Sequence, residues 1–185
     1  MKCGENKRMS MPEKYLRRIL TAQIYDVAKE TPLIDAESLS ARLQNRILLK
    51  REDLQSVFSF KLRGAYNKMA NLPSDTLKKG VVAASAGNHA QGVALAARKL
   101  GIKATIFMPE TTPAIKVSAV RGFGATAKLV GDSYDDAYQA ATVFCEKQGA
   151  VFIHPYDDTD IIAGQGTIGF EILKQHKSLP DMIFV

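Results

Sequence analysis

From residue 81 onward, short apolar runs alternate with stretches of helical periodicity, and that alternation leaves few folds open. The runs are "VVAAS" (81–85), "ATIFM" (104–108), "TAKLV" (126–130), "AVFI" (150–153) and "MIFV" (182–185). Helical spacing fills 60–71, 88–100, 113–121, 134–148 and 161–176. Gly101 and Gly149 follow two of these helices, where left-handed C-caps form. Strands that are apolar on both faces and joined through helices specify an α/β fold, a parallel sheet with helices on both sides in three layers. Upstream, Leu16, Ile19, Leu20, Ile24 and Val27 predict a helix from Pro12 to about Glu30. "TPLIDAESLSARLQNR" then reads as a Pro-marked turn and a short helix, followed by the apolar run "ILL" at 47–49.

The 185 residues suffice for one sizeable core, or for one domain and part of another. No apolar run approaches the ~20 residues of a membrane-spanning helix, and "MKCGENKRMSMPEK" has no apolar segment of the secretory type. Cys3 and Cys145 make no disulfide framework, so a reducing cytoplasmic setting is expected. The net charge of +6 is spread along the chain, with basic residues beside acids as in "KREDL" and "CEKQG". It forms no basic run interleaved with aromatics, the pattern nucleic-acid binding requires. The expected partners are small molecules.

"SAGNHAQG" packs small, turn-forming and polar residues between the strand "VVAA" and the helix that follows it. Such a turn aims backbone N–H groups outward at a helix N-terminus, a site for carboxylate or phosphate. Ser85 and Asn88 add hydrogen-bonding side chains, while Ala86 and Gly87 admit a ligand close to the backbone. The competing reading is that Ser85 or Asn88 merely caps the helix. His89, His154 and His176 have no metal-ligand spacing, and Asp158 or Asp160 suits a helix cap better than a cation site, so no metal is assigned. "GQGTIG" (164–169) and "GFGATA" (122–127) match dinucleotide fingerprints only in letters. Neither opens a helix after a convincing strand, and small residues at 164, 166 and 169 suit close packing of a helix on the sheet.

In "FSFKLRGAY" (58–66) a lysine stands among apolar residues. A lysine amine turns nucleophilic when desolvation or a nearby cation lowers its pKa. Phe58, Phe60 and Leu62 offer the first influence on Lys61 and Arg63 the second. A solvent-facing lysine at a helix start is the alternative, and a serine–lysine pair with Ser59 has no further support in the chain.

Taken together, "SFKLRGAY" and "SAGNHAQG" resemble the serine/threonine dehydratases, pyridoxal-phosphate enzymes of the tryptophan-synthase-β-like fold (fold type II). "KETPL", "LLKREDLQ", "MPETTPAIKVSAVRGFGA" and "HPYDDTDIIAGQGT" resemble that family's segments in order, from about Tyr15 onward. "QSVFSFKLRGAYNKM" is most similar to the biosynthetic, threonine-specific branch; racemase and catabolic members carry T-G-S-F-K where this chain has Val57 to Lys61. The resemblance implies that Lys61 forms the Schiff base with pyridoxal 5'-phosphate and removes the substrate's Cα proton. It implies that Phe60 packs beside the cofactor and Asn88 binds the 3-oxygen of its ring. Ser85, Ala86, Gly87, Asn88 and His89 would bind the substrate carboxylate. The implied reaction converts L-threonine, or L-serine in related branches, to a 2-oxo acid and ammonia; 2-oxobutanoate from threonine feeds isoleucine biosynthesis.

Family members continue past a strand like "DMIFV" with a glycine-rich phosphate loop, a Ser/Thr facing the ring nitrogen, and in the biosynthetic branch a regulatory region. The resemblance therefore identifies the 185 residues with the front part of the catalytic region. Residues 1–55 and 149–185 would belong to the larger domain and 56–148 to the smaller one. Alone, the chain is expected to bind the cofactor poorly and to turn over little substrate. The competing reading is a non-catalytic short product or partner-binding module. Full-length members are expected to be homo-oligomers.

Overall fold

The computed structural model describes residues 10–185; Cys3 lies outside them. The elements run α1 (Met11–Leu20), β1 (Leu33–Asp35), α2 (Glu37–Leu43), β2 (Leu48–Lys50), a 3-10 turn (Glu52–Leu54), α3 (Lys61–Ala70), α4 (Ser74–Leu77), β3 (Val81–Ala84), α5 (Asn88–Leu100), β4 (Ala104–Met108), α6 (Ala114–Gly122), β5 (Thr126–Leu129), α7 (Tyr134–Gln148), β6 (Val151–Phe152) and α8 (Thr159–Gln175). Four parallel strands form one sheet in the order β5-β4-β3-β6. A separate antiparallel pair joins β1 to β2.

The expected three-layer α/β arrangement is present, and β3 shows why its strand is apolar throughout. Val81 and Ala83 point into a core shared with α3, α5 and α6, where Leu62, Met69, Val93 and Ile106 are buried. Val82 and Ala84 point the other way, toward Ala137 and Ala141 of α7 with Phe107 of β4. Alternate side chains of one strand thus supply both cores. Local signals set several boundaries. Gly101 and Gly149 end α5 and α7 with φ of 68° and 62°, and Ser133 with Asp136 forms a capping box at the start of α7.

Four expectations are corrected. The first helix stops at Leu20, because tertiary acceptors take the backbone beyond it: Gln23 N–H donates to Asn67 Oδ1 (3.0 Å) and Lys29 N–H to Gln55 Oε1 (2.9 Å). Residues 33–35 are a strand, stabilised by pairing Leu33–Asp35 with Leu48–Lys50. Residues 182–185 are not a strand. An apolar tetrapeptide holds extended geometry only against a partner's ladder; no described strand pairs with it, and Met182 to Val185 are exposed. Finally, "GQGTIG" lies inside α8, and its close packing is against helices rather than the sheet. A Cβ on Gly164 would lie 2.7 Å from Arg63 O and from Gly64 Cα, and one on Gly166 2.6 Å from Ile19 Cδ1, whereas Gly169 faces open space. No described helix is long and apolar enough to cross a membrane.

Candidate active site

Chain order and sheet order part company at β3. From β3 the chain steps outward through β4 to β5, then returns to place β6 on β3's other side. At such a reversal the loops leaving the two strands diverge and open a crevice beyond their carboxyl ends, where ligands of open α/β sheets bind. The β3 loop is Ser85–Gly87, and the β6 loop is 153–157. Ile153 N–H donates to Val82 O (2.8 Å), carrying the ladder to the rim of that crevice.

Lys61 opens α3 at this place. Its Nζ donates to Pro155 O at 2.8 Å and lies 5.4 Å from the centroid of Phe60. Burial holds the Lys61 ammonium below the ordinary lysine value. Its position is fixed by a close helix crossing: a Cβ on Gly92 of α5 would lie 3.0 Å from Leu62 N and 3.1 Å from Lys61 C. Only a residue without a side chain lets α5 approach the backbone of Lys61 so closely. Ser59, also buried, accepts from the Lys61 N–H through Oγ at 3.3 Å.

Two of the influences assigned to Lys61 act elsewhere. Phe58 is 77% exposed, in a left-handed conformation (φ 54°), and desolvates nothing. Arg63 is fully buried on another face of α3. It is bound by Glu52 (2.8 and 2.7 Å), Glu171 (2.6 and 2.9 Å), Thr167 (3.1 Å) and Lys29 O (3.1 Å). Lys50 Nζ joins Glu171 at 2.6 Å, so two cations and two anions neutralise one another inside. Burial opposes the Glu171 charge, yet hydrogen bonds from Arg63, Lys50 and Tyr25 hold its pKa below the ordinary glutamate value. This network ties α3 to α8 and to the segment before β1. The helical period alone places Lys61 and Arg63 about 160° apart on α3, too far round for one to act on the other.

Ser85, Ala86, Gly87, Asn88 and His89 form the turn into α5. Ser85 Oγ accepts from Gly87 N–H at 3.2 Å, and Asn88 is exposed on the first turn. No side chain caps α5, which removes the capping reading for Ser85 and Asn88. The first N–H groups of a 13-residue helix are thus directed at the crevice, and nothing lies within 4 Å of where a Cβ on Gly87 would stand. His89 is turned inward, 5% exposed, its Nε2–H donating to Ile153 O at 2.9 Å. What residue 89 can offer a ligand is therefore its backbone N–H. Burial pushes its imidazole down to about 4, so it is neutral at pH 7. The expected acidic cap is present at Asp158, whose Oδ1 accepts from Asp160 and Ile161 N–H at the start of α8.

Lys61 and the 85–89 turn thus meet through one loop: Pro155 O takes the lysine and Ile153 O takes the histidine. That loop carries no role in the residue-by-residue reading, because its contribution is two carbonyl groups, which leave no mark in side-chain chemistry. A half-buried amine beside an uncapped helix N-terminus suits an aldehyde cofactor that carries anionic groups and binds an amino acid.

The chain belongs to the family of pyridoxal-phosphate dependent enzymes, whose pattern matches residues 24–185. Within that family it is 58% identical over 174 residues to the L-threonine dehydratase biosynthetic IlvA of Burkholderia multivorans, covering 92% of this chain and 34% of that protein. The structure of the processed form of threonine deaminase isoform 2 from Solanum lycopersicum superimposes with a TM-score of 0.87 at 53% identity, over 91% of this chain and 47% of that one. Maize serine racemase gives 0.82 at 35% identity, over 88% and 49%. The chain spans about a third of the length of the curated relatives it matches. The resemblance read from the two motifs is borne out, and with it the fold type and the cofactor, pyridoxal 5'-phosphate.

Proposed function

We propose that this chain supplies the lysine-bearing part of an enzyme that converts L-threonine to 2-oxobutanoate and ammonia, the step that commits threonine carbon to isoleucine. The observation that carries the reading is Lys61, a lysine of lowered pKa bound to Pro155 O in the loop after β6, the loop whose Ile153 O also binds His89 at the uncapped N-terminus of α5. Pyridoxal phosphate, when bound, is the electron sink that makes the Cα–H bond acidic.

Every other role falls to the protein. Lys61 would hold the cofactor through Nζ and, as a neutral amine, would take the Cα proton; burial, which lowers its pKa, favours that neutral form. The same amine, recharged, is the acid at hand when the β-hydroxyl leaves. Backbone N–H groups of residues 86–89, with Ser85, bind the substrate carboxylate in the field of the helix. Asn88 would hold the ring 3-oxygen and Phe60 would pack beside the ring. Residues 56–148 serve as the smaller domain, with β6 completing its sheet as the chain enters the part assigned, like 1–55, to the larger one. The complete protein works as a homo-oligomer, and a reducing cytoplasm suits the half-buried thiol of Cys145.

Preference for threonine over serine is favoured by the relatives' names: a threonine dehydratase at 58% and a threonine deaminase at 53% identity against a serine racemase at 35%. The test is reductive trapping. The complete polypeptide is mixed with pyridoxal phosphate, reduced with borohydride and mapped by peptide mass spectrometry, and its turnover of L-threonine and L-serine is compared. One adduct on Lys61, lost in Lys61→Ala, with faster release of 2-oxobutanoate than of pyruvate, is expected. Labelling scattered over surface lysines, or D-serine as the product, would overturn the assignment.

A further inference from the structure

The turn that follows β6 is closed by a histidine side chain. His154 Nδ1 accepts hydrogen bonds from the backbone N–H of Tyr156 (3.3 Å) and of Asp157 (2.8 Å). A ring nitrogen that accepts two N–H groups carries its lone pair, so the ring proton is on Nε2. An acceptor on residue i that receives the N–H groups of i+2 and i+3 is the pattern of an Asx turn, here with an imidazole nitrogen in place of an amide oxygen. The ring is held edge-on between Phe152 and Tyr156, with centroids 6.4 and 4.7 Å away.

The Pro155 carbonyl and the Tyr156 N–H belong to one planar trans peptide unit, in which they point in opposite directions. Holding that N–H on His154 therefore aims the carbonyl away from His154. At 2.8 Å in the carbonyl's direction stands Lys61 Nζ. Proline has no N–H of its own and a fixed φ, so this plane is the adjustable part of the loop. We infer that His154 is a positioning residue for Lys61: its Nδ1 fixes the Pro155–Tyr156 peptide plane and thereby docks the Lys61 ammonium on the Pro155 carbonyl.

The docked position keeps the amine on the loop whose Ile153 carbonyl also binds His89 of the 85–89 turn, whenever it is not otherwise engaged. The titratable groups around it are His89, neutral and bound to Ile153 O, and His154 itself; Asp157 enters the turn through its N–H. The inference rests on the proposed function for what Lys61 does, whereas the contact needs no cofactor, and the test is made without one.

The acid dissociation constant of Lys61 is read in the cofactor-free complete polypeptide. The method is trace acetylation with limiting acetic anhydride across pH, quantified on the Lys61 peptide and normalised to the exposed Lys78. The midpoint of that profile is independent of how accessible the amine is. His154→Ala removes the acceptor, His154→Phe removes it while keeping the ring packing, and His154→Asn puts an oxygen back for both N–H groups. An ammonium deprived of its fixed acceptor in a half-buried site loses its proton more readily. Ala and Phe are expected to raise the dissociation constant about tenfold (about 1.4 kcal/mol), and Asn to return it to within about twofold of the parent. If the Ala variant does not fold, the Phe variant decides. An unchanged constant, a shift in the opposite sense, or an Asn variant that behaves like Phe overturns the inference. Pyridoxal-phosphate trapping on Lys61 is scored separately, so its failure would count against the proposed function and leave the acetylation result to decide this one.

Discussion

Acidification from pH 7 to pH 4 should weaken the folded protein through His89 in particular. The buried imidazole has a folded pKa of about 4 against an ordinary 6.5, chiefly from burial, with Lys61 and His154 adding repulsion against the hydrogen bond to Ile153 O. Because the folded value is depressed, the unfolded chain binds the extra proton. The stability this group contributes is complete above about 6.5 and is lost as pH falls toward 4. The difference of 2.5 (6.5 − 4) corresponds to about 3 kcal/mol at 1.36 kcal/mol for each decade. Carboxylates also contribute to acid unfolding, so the measurement is a difference: urea unfolding of the parent and of His89→Gln at matched pH. Gln can still donate to Ile153 O and does not titrate. At pH 7 the parent should be the more stable, and the gap should shrink by about 3 kcal/mol by pH 4. A gap that stays constant over this range would refute the claim that residue 89 is buried as a neutral imidazole.

Arg63→Met should cost about 3–5 kcal/mol at pH 7 in chemical denaturation, because it leaves the buried Glu171 and the largely buried Glu52 without their shared cation; a loss under about 1 kcal/mol would mean that Lys50 and solvent suffice. Gly164→Ala forces a methyl to within 2.7 Å of the α3 backbone and should lower stability by about 1–3 kcal/mol or more, read as a fall in Tm. An unchanged Tm would show that α3 and α8 are free to separate.

Elements whose ends are chemically local could be read from residue order alone. Asn88–Leu100 and Tyr134–Gln148 were legible because their helical periodicity is clear and Gly101 and Gly149 act within one turn of the helix each ends. Ala104–Met108 was equally legible, because a strand covered on both faces is apolar at nearly every position, here all but the half-buried Thr105. The two site motifs were legible as well, since a lysine among apolar residues and a polar strand-to-helix loop are visible as composition. Other features belonged to the tertiary structure alone. The end of α1 depends on Asn67, far along the chain, and β1 exists only through β2. Lys61 and Arg63 face different surroundings because α3 is held between α5 and α8 by Gly92, Gly64 and Gly164. Above all, β6 beside β3 opens the crevice, and the carbonyls of Ile153 and Pro155 join its two halves. Strand order and carbonyl direction are properties of segments far apart in the chain, brought together across several helices and strands. No residue type encodes them, so they appear only when the whole fold is in place.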